Sequence, residues 1–186
     1  MKKPTTLIAF ALGISAILVT EPAAAQTGPA EGDFVGPPVS LCPTVVVSGV
    51  ENPDDMNRGR FSATHSADLV FHVLFDRSLE KEHVVTLKIF TPHGYMYRRL
   101  DVPLAPEKGE ATPGVRRLPG YPYPIQVQAL HPAMVDGTTY ESVDVSFPVA
   151  GSTIVTSSLY GRWKVEVSLD GFDRPCGQPV FFELVQ

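Results

Sequence analysis

The sequence predicts an all-β protein in which two antiparallel sheets pack against each other. Stretch after stretch alternates apolar with polar residues at a period of two, the period of a strand with one buried face. Past the N-terminus no stretch carries a helical period of ten residues or more, and the 18 prolines of the 186-residue chain disfavour long helices. Gly, Pro and Asp signals separate about seven such strands, and paired sheets are the simplest way to bury one face of each.

In chain order, Thr44-Val45-Val46-Val47 is a β-branched run suited to a first strand. ENPDDMNRG (Glu51 to Gly59) reads as a loop. In DLVFHVLFD, Phe71, Val73 and Phe75 share one face, while His72 and Leu74 share the other, which points His72 toward solvent. In EHVVTLKIFTPHG, Val85, Leu87 and Ile89 alternate with Thr86 and Lys88, and His93-Gly94 marks a turn. YMYRRLDVPL follows as a return strand with Tyr95 and Tyr97 on one face. From Val102 to Met134, seven prolines each remove a backbone donor. That stretch is expected as a long loop crossing between the two halves, with room for a short edge strand at Ile125 to Ala129. In YESVDVSFPV, Val143, Val145 and Phe147 oppose Asp144 and Ser146. In GRWKVEVSLDG, Trp163, Val165, Val167 and Leu169 share a face, which gives the sole tryptophan a core position, and Asp170-Gly171 reads as a turn. PVFFELVQ is the last strand, with Val180, Phe182 and Leu184 on one face.

Residues 1–25 have the layout of a cleaved secretory signal. Lys2 and Lys3 precede an apolar run from Leu7 to Val19, and Ala23-Ala24-Ala25 stands before the expected cut. The run is shorter than the roughly 20 residues that span a bilayer, and no later stretch is long and apolar enough to do so. Residues 26–41 read as a flexible leader rich in Gly and Pro, and residues 42–186 as a single domain with a core of its own. Export would place the chain in the periplasm or outside the cell. There Cys42 and Cys176 are expected to form one disulfide, tying the first strand to the last hairpin. Neither has a Cys or His at ligand spacing, so no metal and no cofactor are expected. The formal net charge of −5 argues against a nucleic-acid partner.

TIVTSSLYGRWKVEVSLDG, followed by QPVFFELV, resembles the final hairpin of immunoglobulin-like domains in exported bacterial proteins. ADLVFHVLFD and VVTLKIFTPHGYMY resemble their earlier strands. The resemblance runs from Thr44 to Val185 and implies an immunoglobulin-like sandwich, from which the Pro-rich centre departs. Antibody-type domains also place two Cys on facing central strands around a core Trp, whereas Cys42 and Cys176 would staple the chain ends. Tyr160, just before the Trp163 strand, is either a corner tyrosine bonded back to backbone or an ordinary half-buried ring.

Motifs that announce catalysis are missing. There is no Gly-x-Ser-x-Gly, no His-Glu-x-x-His and no phosphate-cradling loop before a helix, and the five histidines are scattered. Asp54-Asp55, Asp170 and Asp173 fall in loops or turns without full calcium-loop spacing. RRLPGYPYP is more informative. Its prolines stiffen Tyr121 and Tyr123 behind the basic pair Arg116-Arg117, so less ordering entropy is lost on binding, and each Tyr offers apolar area plus a hydroxyl. The competing role for this segment is to pack along a sheet edge. The expectation is an exported, non-enzymatic binding or scaffolding module of the cell envelope. It would engage another protein or a surface polymer through Tyr121, Tyr123, Arg116 and Arg117. The alternative is a secreted or periplasmic hydrolase with a loop-built site, which needs at least two of His65, His72, His83, Asp68 and Asp144 within hydrogen-bond reach in one pocket.

Overall fold

A computed structural model of the chain describes residues 41–49, 59–105 and 114–186. The expected signal peptide, the leader up to residue 40 and residues 51–58 of the ENPDDMNRG loop lie outside the described residues.

The described chain is all-β. One sheet has the order β1 (Thr44–Gly49), β3 (Asp68–Phe75), β9 (Thr138–Pro148), β8 (His131–Val135). The second has the order β2 (Arg60–Ser62), β11 (Val180–Val185), β10 (Gly161–Leu169), β4 (His83–Phe90), β5 (Met96–Leu104). β6 (Val115–Arg116) and β7 (Ile125–Gln126) pair with each other in a small ladder. The named strands pair antiparallel except β2 with β11, which is parallel, and an isolated parallel bridge joins Leu104 to Gln128. A one-turn helix, α1 (Thr153–Thr156), connects β9 to β10 and is capped by the Ser152 hydroxyl, which accepts from the Ile154 N–H.

The two-residue alternation closes the core. Phe71 and Val73 of β3 and Val143, Val145 and Phe147 of β9 meet Leu87, Ile89, Trp163, Val165 and Phe182 of the other sheet in one buried cluster. Rings touch across the interface: Phe71 and Phe182 have centroids 5.9 Å apart, and Phe147 and Trp163 6.0 Å. Trp163 takes the core position expected of it. Cys42 and Cys176 are bonded, with Cα atoms 5.2 Å apart across 134 positions. The Cys176 N–H also donates to the Val167 carbonyl, so the loop after β10 is held to its own strand and to the chain entering β1. The disulfide suggests an oxidising, exported environment. No helix among the described residues is long and apolar enough to cross a membrane.

Several local expectations change. The stretch from Val102 to Met134 is not one crossing loop; its described residues hold the end of β5, the β6–β7 ladder and most of β8. Proline is excluded only where the ladder needs its N–H. The two-residue turn Asp136-Gly137, with φ of 48° and 78°, makes Val135 and Thr138 a hydrogen-bonded pair. Counting back, Pro132 opposite Glu141 falls at a non-hydrogen-bonded position, and its nitrogen faces the free edge of the sheet. The edge strand expected at Ile125 to Ala129 shortens to β7. Tyr95 and Tyr97 do not share a face: the register shifts at Ile89/Phe90, leaving Tyr95 in solvent and Tyr97 against Phe147 and Trp163. His72 is buried, not solvent-facing. Tyr160 is half-buried against the core, and the bond back to backbone near this corner comes from Trp163, whose indole N–H donates to Leu159 O at 3.0 Å.

Candidate functional site

The chain leaves β10 at Asp170-Gly171, where both residues have positive φ, 53° and 76°. Gly bears that conformation freely, and Asp is among the few side chains that tolerate it. The turn folds Asp170 back onto the start of β4. Its N–H donates to Val84 O at 2.8 Å, and its carboxylate accepts from Val84 N–H at 2.9 Å and from His83 Nδ1 at 2.8 Å. A carboxylate only accepts, so the His83 proton is on Nδ1. His83 is buried, and this pair locks the loop after β10 to the loop between β3 and β4.

A cleft opens on each side of that lock. One, of about 370 Å³, is lined by Leu41, Arg77, Ser78, Glu80, Lys81 and His83. The other, of about 280 Å³, lies between the outer face of β4–β5 and the β6–β7 segment, with Thr86, Arg99, Asp101, Arg116, Pro119 and Asp170 in its wall. Within it Asp101 is fully engaged. Thr86 Oγ1 donates to Oδ1 at 2.5 Å, and Arg99 Nε reaches both carboxylate oxygens at 3.0–3.1 Å.

The Pro-rich segment braces this end by closing the edge of β5. Asp101 N–H donates to the Tyr121 hydroxyl oxygen at 3.0 Å, Pro103 O accepts from Gln128 N–H at 2.8 Å, and Ala105 N–H donates to Gln128 O at 2.9 Å. Arg116 adds an ion pair to Glu82 at 3.3 Å. Burial raises the Tyr121 phenol above its ordinary value; the Asp101 carboxylate and its hydrogen bond act in the same direction, while the Asp101 backbone bond and the Arg99 charge oppose it. Of the four residues singled out from the sequence, Arg116 lines a cleft and Tyr121 is tied to its wall. Tyr123 is 78% exposed, and Arg117 is exposed on the same segment.

A second polar cluster brings together His72 and Asp144, two of the residues named for the alternative site, with Ser48, which the sequence did not single out. On the outer face of the four-stranded sheet, Ser48 Oγ lies 2.8 Å from His72 Nε2, and His72 Nδ1 lies 2.7 Å from Asp144 Oδ1. His131 Nε2 approaches the other Asp144 oxygen at 3.5 Å. The order serine–imidazole–carboxylate is that of a nucleophile, base and orienting acid. Ser48 is only 1% exposed, however, and both neighbours, Val47 and Gly49, are in the β1–β3 ladder. The linkage acts as a polar clamp across three strands. His72 and Asp144 are cross-strand partners, which explains why residues 72 positions apart meet. No described group of three or more His, Cys, Asp or Glu side chains could hold a metal ion. No family model, curated protein or solved structure matches the chain.

Proposed function

We propose that the chain is an exported, non-enzymatic binding module with an immunoglobulin-like sandwich, periplasmic or secreted. It engages an envelope protein or a surface polymer through the loop end around His83 and Asp170. The carrying observation is the pair of clefts on either side of the His83–Asp170 lock, braced by Tyr121 and Arg116. A surface held in place before binding loses little entropy on binding. The strand orders support the sandwich reading: β1-β3-β9-β8 parallels the four-stranded sheet of immunoglobulin-like domains, and β11-β10-β4 parallels the three-stranded one, with β2 and β5 added at its two edges. In that scheme the loops around the clefts cluster at one end of the sandwich.

The test is co-purification of the tagged chain from its own envelope fraction, with Arg116→Ala/Tyr123→Ala in parallel. Tyr123 is exposed, and Arg116 loses only a surface ion pair to Glu82, so the variant should melt within a few degrees of the parent. Loss of a partner that the parent retains supports the reading; an identical partner set overturns it. The hydrolase alternative draws on Ser48–His72–Asp144. An active-site fluorophosphonate should leave Ser48 unlabelled, and labelling abolished by Ser48→Ala would favour the enzyme instead.

A further inference from the structure

We infer that the outer face of the five-stranded sheet, around Arg162 and Phe181, binds an acidic polysaccharide. Lys164 is the cross-strand partner of Phe181 on one side and of Phe90 on the other, so ring, cation and ring form a row over three strands. Arg162 stacks over Phe181, its guanidinium carbon 4.1 Å from the ring centroid, and Lys164 Nζ lies 4.2 Å from that of Phe90. Phe181 stays 43% exposed despite its apolar ring. Beside it opens a cavity of about 430 Å³, lined by Gly59, Arg162, Phe181, Phe182 and Glu183.

Charge argues for the occupant. The outward positions of this sheet carry Arg60, Lys88, Arg99, Arg162 and Lys164 against Asp101, Glu166 and Glu183, on a chain whose formal net charge is −5. Each of these acids already has a cation: Asp101 has Arg99, Glu166 has Lys164 and Glu183 has Arg60. Arg162 and Lys88 are left without an acid at ion-pair distance among the described residues. By register Lys88 is one strand over and four residues along from Arg162, so the two stand roughly 13 Å apart along the strands. That span exceeds one small anion and suits a polymer that repeats its charge. A guanidinium stacked on a ring offers its N–H edge in a fixed plane, the geometry a carboxylate prefers. Phe181, still 43% exposed beside the stacked guanidinium, leaves apolar ring surface for a sugar next to the charge. A second copy meeting this face with its own matching face would bring the same excess of cations, so like charge disfavours that symmetric contact.

Affinity electrophoresis through gels containing alginate, with dextran as the neutral counterpart, tests the inference. Alginate alone should retard the chain, less so as salt rises. Arg162→Gln should raise the apparent Kd about tenfold, the size of one lost charge-assisted hydrogen bond. Arg98→Gln, which removes the same charge from an exposed position of opposite parity on β5, across from Ile89, should leave it unchanged. An unaltered melting temperature for Arg162→Gln shows that the fold is intact. Equal retardation by dextran, equal weakening by Arg98→Gln, or a dimer that Arg162→Gln dissolves would each overturn the inference. None of these readouts depends on the envelope partner proposed above.

Discussion

Trp163 is fully buried, and its indole N–H is satisfied close by, on the carbonyl of Leu159. Its ring stacks on Phe182, with centroids 6.1 Å apart and planes at 18°, and meets Tyr97 edge-on at 5.2 Å. Truncation would leave a large cavity that these rings cannot fill. Trp163→Ala should therefore cost about 3–5 kcal/mol in urea unfolding; an unshifted midpoint would contradict the core role. Tyr121 differs because its hydroxyl faces an edge strand. Folding raises its pKa, so the folded chain keeps the phenol proton at a pH where the unfolded chain, near 10.0, has lost it. This contribution is complete below pH 10.0 and is lost as pH rises through the folded value. Urea midpoints measured from neutral to strongly alkaline pH should fall less steeply in Tyr121→Phe than in the parent. At neutral pH the same variant should lose about 1 kcal/mol, because the Asp101 N–H loses its acceptor.

The edge of β5 decides what the Pro-rich segment does. An unpaired edge presents a row of N–H and C=O groups that can recruit a foreign strand. Here Tyr121 and Gln128 take the groups of Asp101, Pro103 and Ala105, and proline at 103 removes one donor outright. Replacing residues 115–126 with a short Gly-Ser linker should leave the Trp163 core signal intact yet cause concentration-dependent association, followed by light scattering. A monomer at every concentration would show that the edge is protected by something else. Pro132 performs the same service on β8, at the far edge of the other sheet. The Pro-rich composition thus marks edges, and the segment proposed to bind a partner has closure as its first structural task.

Across the whole molecule the disulfide joins the chain ahead of β1 to the loop before β11, closing a loop of 134 positions. In the chain-entropy account that constraint is worth about 5 kcal/mol at most. Cys42→Ser/Cys176→Ser should lose stability toward that limit, and reductant should shift the parent but not the variant; equal midpoints with and without reductant would show that the bond contributes little. Much of this architecture was legible in the sequence. Period-two alternation marks which side of each strand is apolar, because a side chain's face depends only on its parity along the strand. Trp163, Phe71, Phe147 and Phe182 were placed on apolar faces in this way, and two cysteines left one intramolecular pairing. Register, edge position and cross-strand partners depend on residues far apart in the chain. Only the tertiary structure could therefore bring His72 to Asp144 and His83 to Asp170, turn Pro132 outward, seat Tyr121 on Asp101 and lay Arg162 over Phe181.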